Sequence, residues 1–347
     1  MSILRWRSNA ARKRAGAFAS AVAAALFISG FANAAGDEFK NKTINVYIGY
    51  DAGGSYDFYG RMLARYMGAH LPGNPKLVPQ NMPGASGFRL IGFLYSAAPK
   101  DGTAIAISSQ QIAVSDKLGM SGVNYEASKF NYIGRMTSSV EIGLFWHTSK
   151  VKSIEDARQF SVPVSATSPG SSAHDYWKIL NSIGGTKLQI IGGYQSATPM
   201  MLAMERGETE GAFTSWNTIK VRRNELLRDK LINIAVQFTT SRHKDLPDVP
   251  ALVEAGRSED DKQILAFYSS GGDIGRAFIA PPAMNAEIVA ILRRGFDGML
   301  KDPQFLREIE KTNAEFDPMS GGDLQEFVRR FDGLSPELLE RARKARE

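Results

Sequence analysis

The sequence contains no cysteine and only four histidines. The missing thiols exclude disulfides, thiolate metal sites and cysteine nucleophiles, so in an oxidising compartment stability must come from core burial. The histidines, His70, His147, His174 and His243, show no pair at helical ligand spacing, and acidic runs such as Glu259-Asp260-Asp261 read as solvated loop, so no metal site is expected. Beyond Phe31 no stretch approaches the roughly 20 apolar residues that a membrane span requires.

At the N-terminus, Arg5, Arg7, Arg12, Lys13 and Arg14 precede an alanine-rich apolar stretch from Ala15 to Phe31 and then Ala32-Asn33-Ala34. Basic, apolar, then small is the layout of a secretory leader, and cleavage is expected after Ala34, which places the mature chain in the periplasm. Removing those five cations takes Lys+Arg from 42 to 37 against 36 Asp+Glu, so the formal charge of +6 falls to about +1. Basicity confined to a leader gives no support for a nucleic-acid or anionic-lipid partner. The remaining chain is long enough for two domains.

What is present is an alternation of short β-rich runs and amphipathic helices. The run Thr43 to Tyr50 reads as a strand; after a glycine turn, Phe58, Met62, Leu63, Tyr66 and Met67 form one helical stripe. Strands follow at 77–80 and 104–107, then near 132–136, 142–146, 161–166, 188–191, 211–213 and 232–236. Helices are expected at 153–158, with Ser153 as N-cap, and at 173–181. From Pro250 onward one strand-like run, Arg276 to Ala280, stands among helical segments. One strand cannot make a third core, so this part is expected to return to the first. The expected fold is therefore α/β with two domains, residues 35–137 plus 250–347 and residues 138–249, after a leader at 1–34.

Three turns link predicted strands to helices: Asp51 to Asp57, Asn81 to Gly87, and Thr167 to Ser172. Strand carboxyl ends face the ligand crevice in such sheets, and helix N-termini offer free N–H groups to a carboxylate or phosphate. Ser55, Ser86, Ser171 and Ser172 add hydroxyls. No dinucleotide fingerprint or lysine-bearing phosphate loop occurs, and no cofactor is expected. His174-Asp175 beside Ser171 and Ser172 is the one suggestion of hydrolytic chemistry, but adjacent helical residues diverge and make a poor orienting pair, so no catalytic residue is assigned. Trp216 suits either a stacking wall or the core.

These motifs resemble those of the substrate-binding receptors of tripartite tricarboxylate transporters, the Bug or TctC-like family. The first family loop is similar to Ile48 through Asp57, the second to Asn81 through Gly87, and the turn after it to Ala98-Pro99-Lys100-Asp101-Gly102. A Ser/Thr/Gly-rich loop is met by Ala166 to His174, and a later block by Tyr194-Gln195-Ser196 through Gly207 and Glu210-Gly211. Leu246-Pro247-Asp248-Val249-Pro250 with Glu254-Ala255-Gly256, and Ile279-Ala280-Pro281-Pro282, extend the likeness over essentially the whole mature chain.

The resemblance implies a type II periplasmic-binding-protein fold, with two crossing connections and a cleft that holds a small organic carboxylate, largely by loop amides. It implies a monomeric receptor, not an enzyme, whose partners are the membrane subunits of the transporter. Carried over, it marks Tyr50, Gly53, Gly54, Ser55 and Asp57 as ligand-facing or loop-shaping, then Thr167, Ser168, Gly170, Ser171 and Ser172, with Tyr194 and Trp216 as walls. Asp51-Ala52 departs from the family loop by placing an acid beside the implied anion site. The alternatives are a hydrolase or isomerase on a similar frame, which needs a base, nucleophile or metal where a receptor needs only donors, and a receptor that serves a signalling partner.

Overall fold

The computed structural model describes residues 37–120, 122–167, 171–194 and 197–346. The expected leader, with Ser168 and Gly170 of the expected site, lies outside the described residues. The chain runs β1 (Thr43–Ile48), α1 (Ser55–Tyr66), β2 (Lys76–Asn81), α2 (Phe88–Ser96), β3 (Ala104–Ile107), α3 (Ile112–Lys117) and β4 (Asn131–Arg135). It crosses to β5 (Glu141–Trp146), α4 (Ile154–Gln159), β6 (Pro163–Ser165), α5 (Ser172–Ser182), β7 (Gln189–Ile191), α6 (Ala197–Glu205), β8 (Gly211–Ser215), α7 (Glu225–Arg228) and β9 (Ile232–Gln237). It returns through α8 (Glu259–Ile274) to β10 (Ala277–Ala280), α9 (Ala286–Met299), α10 (Pro303–Thr312), β11 (Met319–Ser320), α11 (Gly321–Arg329) and α12 (Pro336–Arg346).

Two sheets result. The first has the order β11-β4-β10-β3-β1-β2 and the second β7-β6-β8-β5-β9. In each, a strand that arrives from the other sheet runs antiparallel between two neighbours: β10 between β3 and β4, β5 between β8 and β9. The remaining pairings of β1 with β2 and β3, and of β6 with β7 and β8, are parallel. This reciprocal exchange is the two-crossing, type II arrangement.

Helices cover both faces of the first sheet, which is why β3 reads as an unbroken apolar run, Ala104 to Ile107, buried throughout. Ile44, Val46 and Ile48 of β1 pack with Met62 and Leu63 of α1 and Phe296 of α9, while Ala104 and Ala106 face Leu90 and Leu94 of α2 and Leu324 of α11. The second core gathers Ile142, Leu144, Val164, Trp177, Met204 and Phe238.

Two findings differ from the sequence reading. Glu259-Asp260-Asp261 is the first turn of α8, not loop: Ser258 caps Asp261 N–H and Asp261 reaches back in a capping box, and three acids complement the positive helix end. Leu252, Ala255, Ile264, Leu265, Phe267 and Tyr268, beyond Pro250, also pack in the second core, as do Val114 and Leu118. Helix α8 packs closely on the first crossing and on the segment after β3 because it presents glycine to both: a Cβ on Gly272 would stand 2.7 Å from the Ser139 carbonyl oxygen, and one on Gly271 2.9 Å from Gln111 Nε2. Leu338, Ala342 and Ala345 of α12 join the second core as well.

Candidate functional site

A cavity of about 300 Å³ lies between the two layers. From the first sheet come Tyr50 and Tyr56 of the β1–α1 connection and Ser109, Gln110 and Gln111 after β3. From the second come Ser171, Ser172, Asp175 and Tyr176 at the start of α5 and Tyr268 of α8. Arg276, immediately before β10, and Arg346, in the last turn of α12, complete the polar wall, and Phe88, Val114, Leu118 and Met120 form an apolar one.

Arg276 is fixed from two sides: its Nε donates to Ser55 Oγ at 2.7 Å and its Nη1 to Gln110 Oε1 at 2.9 Å. Its guanidinium sits 4.2 Å from the Tyr56 ring centroid, and Tyr56 stacks on Tyr50 at 4.0 Å with planes 17° apart. The Gln110 N–H donates to the Tyr56 hydroxyl at 3.2 Å. A planar cation on a ring stack keeps its fork oriented without being buried. Burial pushes the Tyr50 phenol far above its ordinary range, with neighbouring Tyr56 adding to the shift, so it remains a neutral hydrogen-bonding group.

Across the gap, Ser171 caps α5 by accepting from His174 N–H at 3.3 Å and is hydrogen-bonded to the Thr167 hydroxyl. Gln111 Nε2 donates to Ser172 Oγ at 3.3 Å, which joins the loop after β3 to the start of α5. Arg346 Nε donates to Asp175 Oδ2 at 2.5 Å. His174 Nδ1 lies 3.4 Å from Asp175 Oδ1, so these adjacent side chains do touch, contrary to the divergence expected of them. The contact does not make a relay, because Asp175 is committed to Arg346 and Ser171 Oγ to its cap.

The first loop is arranged differently from the expectation. Asp57 is buried and turns inward, where its carboxylate accepts from Gly53 N–H at 3.0 Å, Arg61 Nε at 2.9 Å and Asn81 Nδ2 at 2.9 Å. The Arg61 guanidinium, with these amide donors, holds its carboxyl down to about 2. Asp57 therefore shapes the loop, and the Gly53 amide is spent on it. Gly53, Gly54 and Asp51 are exposed and line no part of the cavity. Ser55 meets the site through Arg276.

Trp216 is buried in the second core, donates to Asp245 Oδ2 at 3.2 Å and lines a separate cavity with Lys220 and Glu315. Tyr194 packs against the second core and is not part of the main cavity. The structure thus brings together Tyr50, Ser171 and Ser172, with Ser55 and Thr167 one bond removed. The sequence reading missed Gln110, Gln111, Tyr176, Tyr268, Arg276 and Arg346. For Arg276 a signal existed, a lone cation at the head of an apolar strand; the others lie on elements with no motif.

Near Arg276, burial raises the carboxyls of Glu141 and Glu315, the latter to about 7, with the Arg276 charge opposing both shifts. Among the described residues no cluster of three His, Asp or Glu side chains is arranged to hold a metal ion, and no helix is long and apolar enough to cross a membrane.

An interlayer cavity at the crossing point of two reciprocally exchanged α/β sheets defines the class: a type II periplasmic-binding-protein fold. No protein-family model matches the sequence, and no curated protein matches it significantly. Among solved structures, a TctC solute binding protein from Polaromonas superposes with a TM-score of 0.67 at 19% identity, covering 87% of this chain and 99% of that one. The periplasmic binding protein BugD gives 0.58 at 19% identity over 88% and 98%. MatC from Rhodopseudomonas palustris, solved with bound malate, gives 0.56 at 18% identity over 88% and 99%. The chain has the fold of the TctC and Bug periplasmic binding proteins.

Proposed function

We propose that the protein is an extracytoplasmic receptor that binds a small organic carboxylate between its two α/β layers. It hands the ligand to the membrane subunits of a tripartite tricarboxylate-type transporter. The observation that carries this reading is Arg276: a guanidinium fixed by Ser55 and Gln110, backed by Tyr56 and turned to a cavity of ligand size. A planar cation with a committed edge and a free edge suits a carboxylate.

The fold supports a receptor, since its neighbours are solute-binding proteins and MatC was solved with malate. The leader-like N-terminus supports export to the periplasm. Among the described residues Ser171 Oγ serves as a helix cap and Ser172 Oγ as a bridge to Gln111, roles that support binding over turnover. In this reading the two layers close over the ligand by hinge bending at residues 136–140 and near Gly275.

Native mass spectrometry of protein freshly released from the cell envelope tests the reading. The expected spectrum contains a complex with one small organic acid that is lost on denaturation. Protein that carries no acid and takes up none from a panel of mono-, di- and tricarboxylates would overturn it.

A further inference from the structure

The chain passes between the two layers a third time, after its last strand. Helix α11 packs on the first sheet through Leu324 and Val328, whereas α12 is seated in the second core through Leu338, Ala342 and Ala345. The turn Arg330–Gly333 and then Leu334-Ser335 join them, and Ser335 caps α12 by accepting from Leu338 N–H at 3.1 Å. Within that turn Phe331 touches the cores of both layers. Its ring meets Phe327 of α11 at 5.5 Å with planes 87° apart, and Phe267 of α8 at 5.7 Å and 64°. Both are edge-on pairs, a favoured geometry for aromatic rings.

Helix α12 is fixed to the second layer by hydrogen bonds in its C-terminal half. The Tyr268 hydroxyl of α8 donates to the Ala342 carbonyl oxygen at 2.6 Å, the Ser182 hydroxyl of α5 to that of Ala345 at 2.8 Å, and Arg346 Nε to Asp175. From this seat Arg343 reaches α3, where its Nε donates to the Leu118 carbonyl oxygen at 3.2 Å and its Nη2 to that of Lys117 at 3.3 Å. The last carbonyls of a helix have no partner within it, and a cation there also answers the negative end of the dipole. Lys117 Nζ in turn lies 2.5 Å from Asp332 Oδ1 in the crossing turn.

Helix α3 is itself rooted in the first layer. Ile112 and Ala113 share a core with Tyr132 and Ile279, the Tyr125 hydroxyl donates to the Ile112 carbonyl oxygen at 3.3 Å, and Asp116 Oδ2 accepts from Ala127 N–H at 2.8 Å. Its other face, Val114 and Leu118, packs in the second core and lines the cavity.

We infer that residues 330–346 form a strap that limits how far the two layers part, with Arg343 as its latch. Parting at the α3 edge would break both Arg343 bonds, separate Phe331 from Phe267 and expose Val114 and Leu118 to water, so opening is confined to the rest of the cavity rim. The strap acts on the empty cavity and is independent of which ligand the cavity takes.

The test is hydrogen exchange with small-angle scattering on the full exported chain without ligand. The Arg343 side chain is 42% exposed, so Arg343→Gln should leave the fold intact. Amides of α3 and α12 should exchange about tenfold or more faster in that variant, those of β1, β3 and β8 at the parent rate, and the radius of gyration should rise. Phe331→Ala should act in the same direction, and Arg343→Lys should keep part of the protection. Should Phe331→Ala fail to fold, Arg343→Gln decides alone. Exchange that quickens equally in both sheets would give the segment a general structural role and overturn the inference. Faster exchange at an unchanged radius of gyration, or exchange and scattering like the parent's, would overturn it as well.

Discussion

Asp57 and Arg276 divide the charge work at the mouth of the first helix. A carboxylate is already present there, that of Asp57, and it takes the Gly53 amide together with Arg61 and Asn81. In the proposed reading a ligand anion therefore takes Arg276 as its donor in place of the Gly53 amide. The consequence is a test at Gly54, where a Cβ would meet nothing within 4 Å. Gly54→Val should fold normally and bind within about twofold of the parent in calorimetry; a large loss would return the anion to the first-loop amides. Glu315 gives a pH dependence of defined sign. Burial keeps its carboxyl protonated up to about 7 in the folded chain, with Arg276 and Lys220 opposing and Glu141 and Asp245 adding to the shift. In the unfolded chain the proton leaves in the ordinary carboxyl range. This contribution is therefore complete at acid pH and lost as pH rises through about 7. Denaturant midpoints of Glu315→Gln should fall less steeply than those of the parent between about pH 5 and 8, and parallel profiles would remove Glu315 as the cause.

Among the elements, α8 bears on both stability and site geometry. It packs on the first crossing and on the segment after β3, carries Tyr268 into the cavity wall and begins with a full capping box. Ser258→Ala should cost about 1 kcal/mol in chemical denaturation, with ligand affinity nearly unchanged because the cap lies at the far end of the helix from Gly271. An unaltered midpoint would mean that the cap adds nothing to a helix already fixed by its core contacts. The sequence hid this element for a physical reason. Three acids followed later by Ser269-Ser270-Gly271-Gly272 look like solvated loop, whereas here the acids answer a helix dipole and the small residues permit close approach to Gln111 and Ser139. Strands were easier to read: β1, β3 and β9 carry their apolar residues in runs that only a sheet explains. Tyr50, Ser171 and Ser172 were legible because strand-to-helix turns have local signatures. Arg276 and Arg346 were not, since each reaches the cavity from an element whose place depends on the return crossing and the packing of α12.

The molecule as a whole is a pair of sheets that trade one strand each, with the cavity where the trade occurs. That geometry makes closure the natural motion, with the Gln111–Ser172 hydrogen bond as a contact across the gap. Small-angle scattering should show a smaller radius of gyration once a bound carboxylate saturates the protein, and identical curves with and without ligand would argue for a rigid cavity. The central claim is that this cavity binds a carboxylate through Arg276, and calorimetry of the parent beside Arg276→Gln addresses it most directly. The account predicts one-to-one binding of at least one carboxylate by the parent and a loss of about a hundredfold or more in the variant, with circular dichroism unchanged. Equal affinities for the same acid in the two proteins would contradict it.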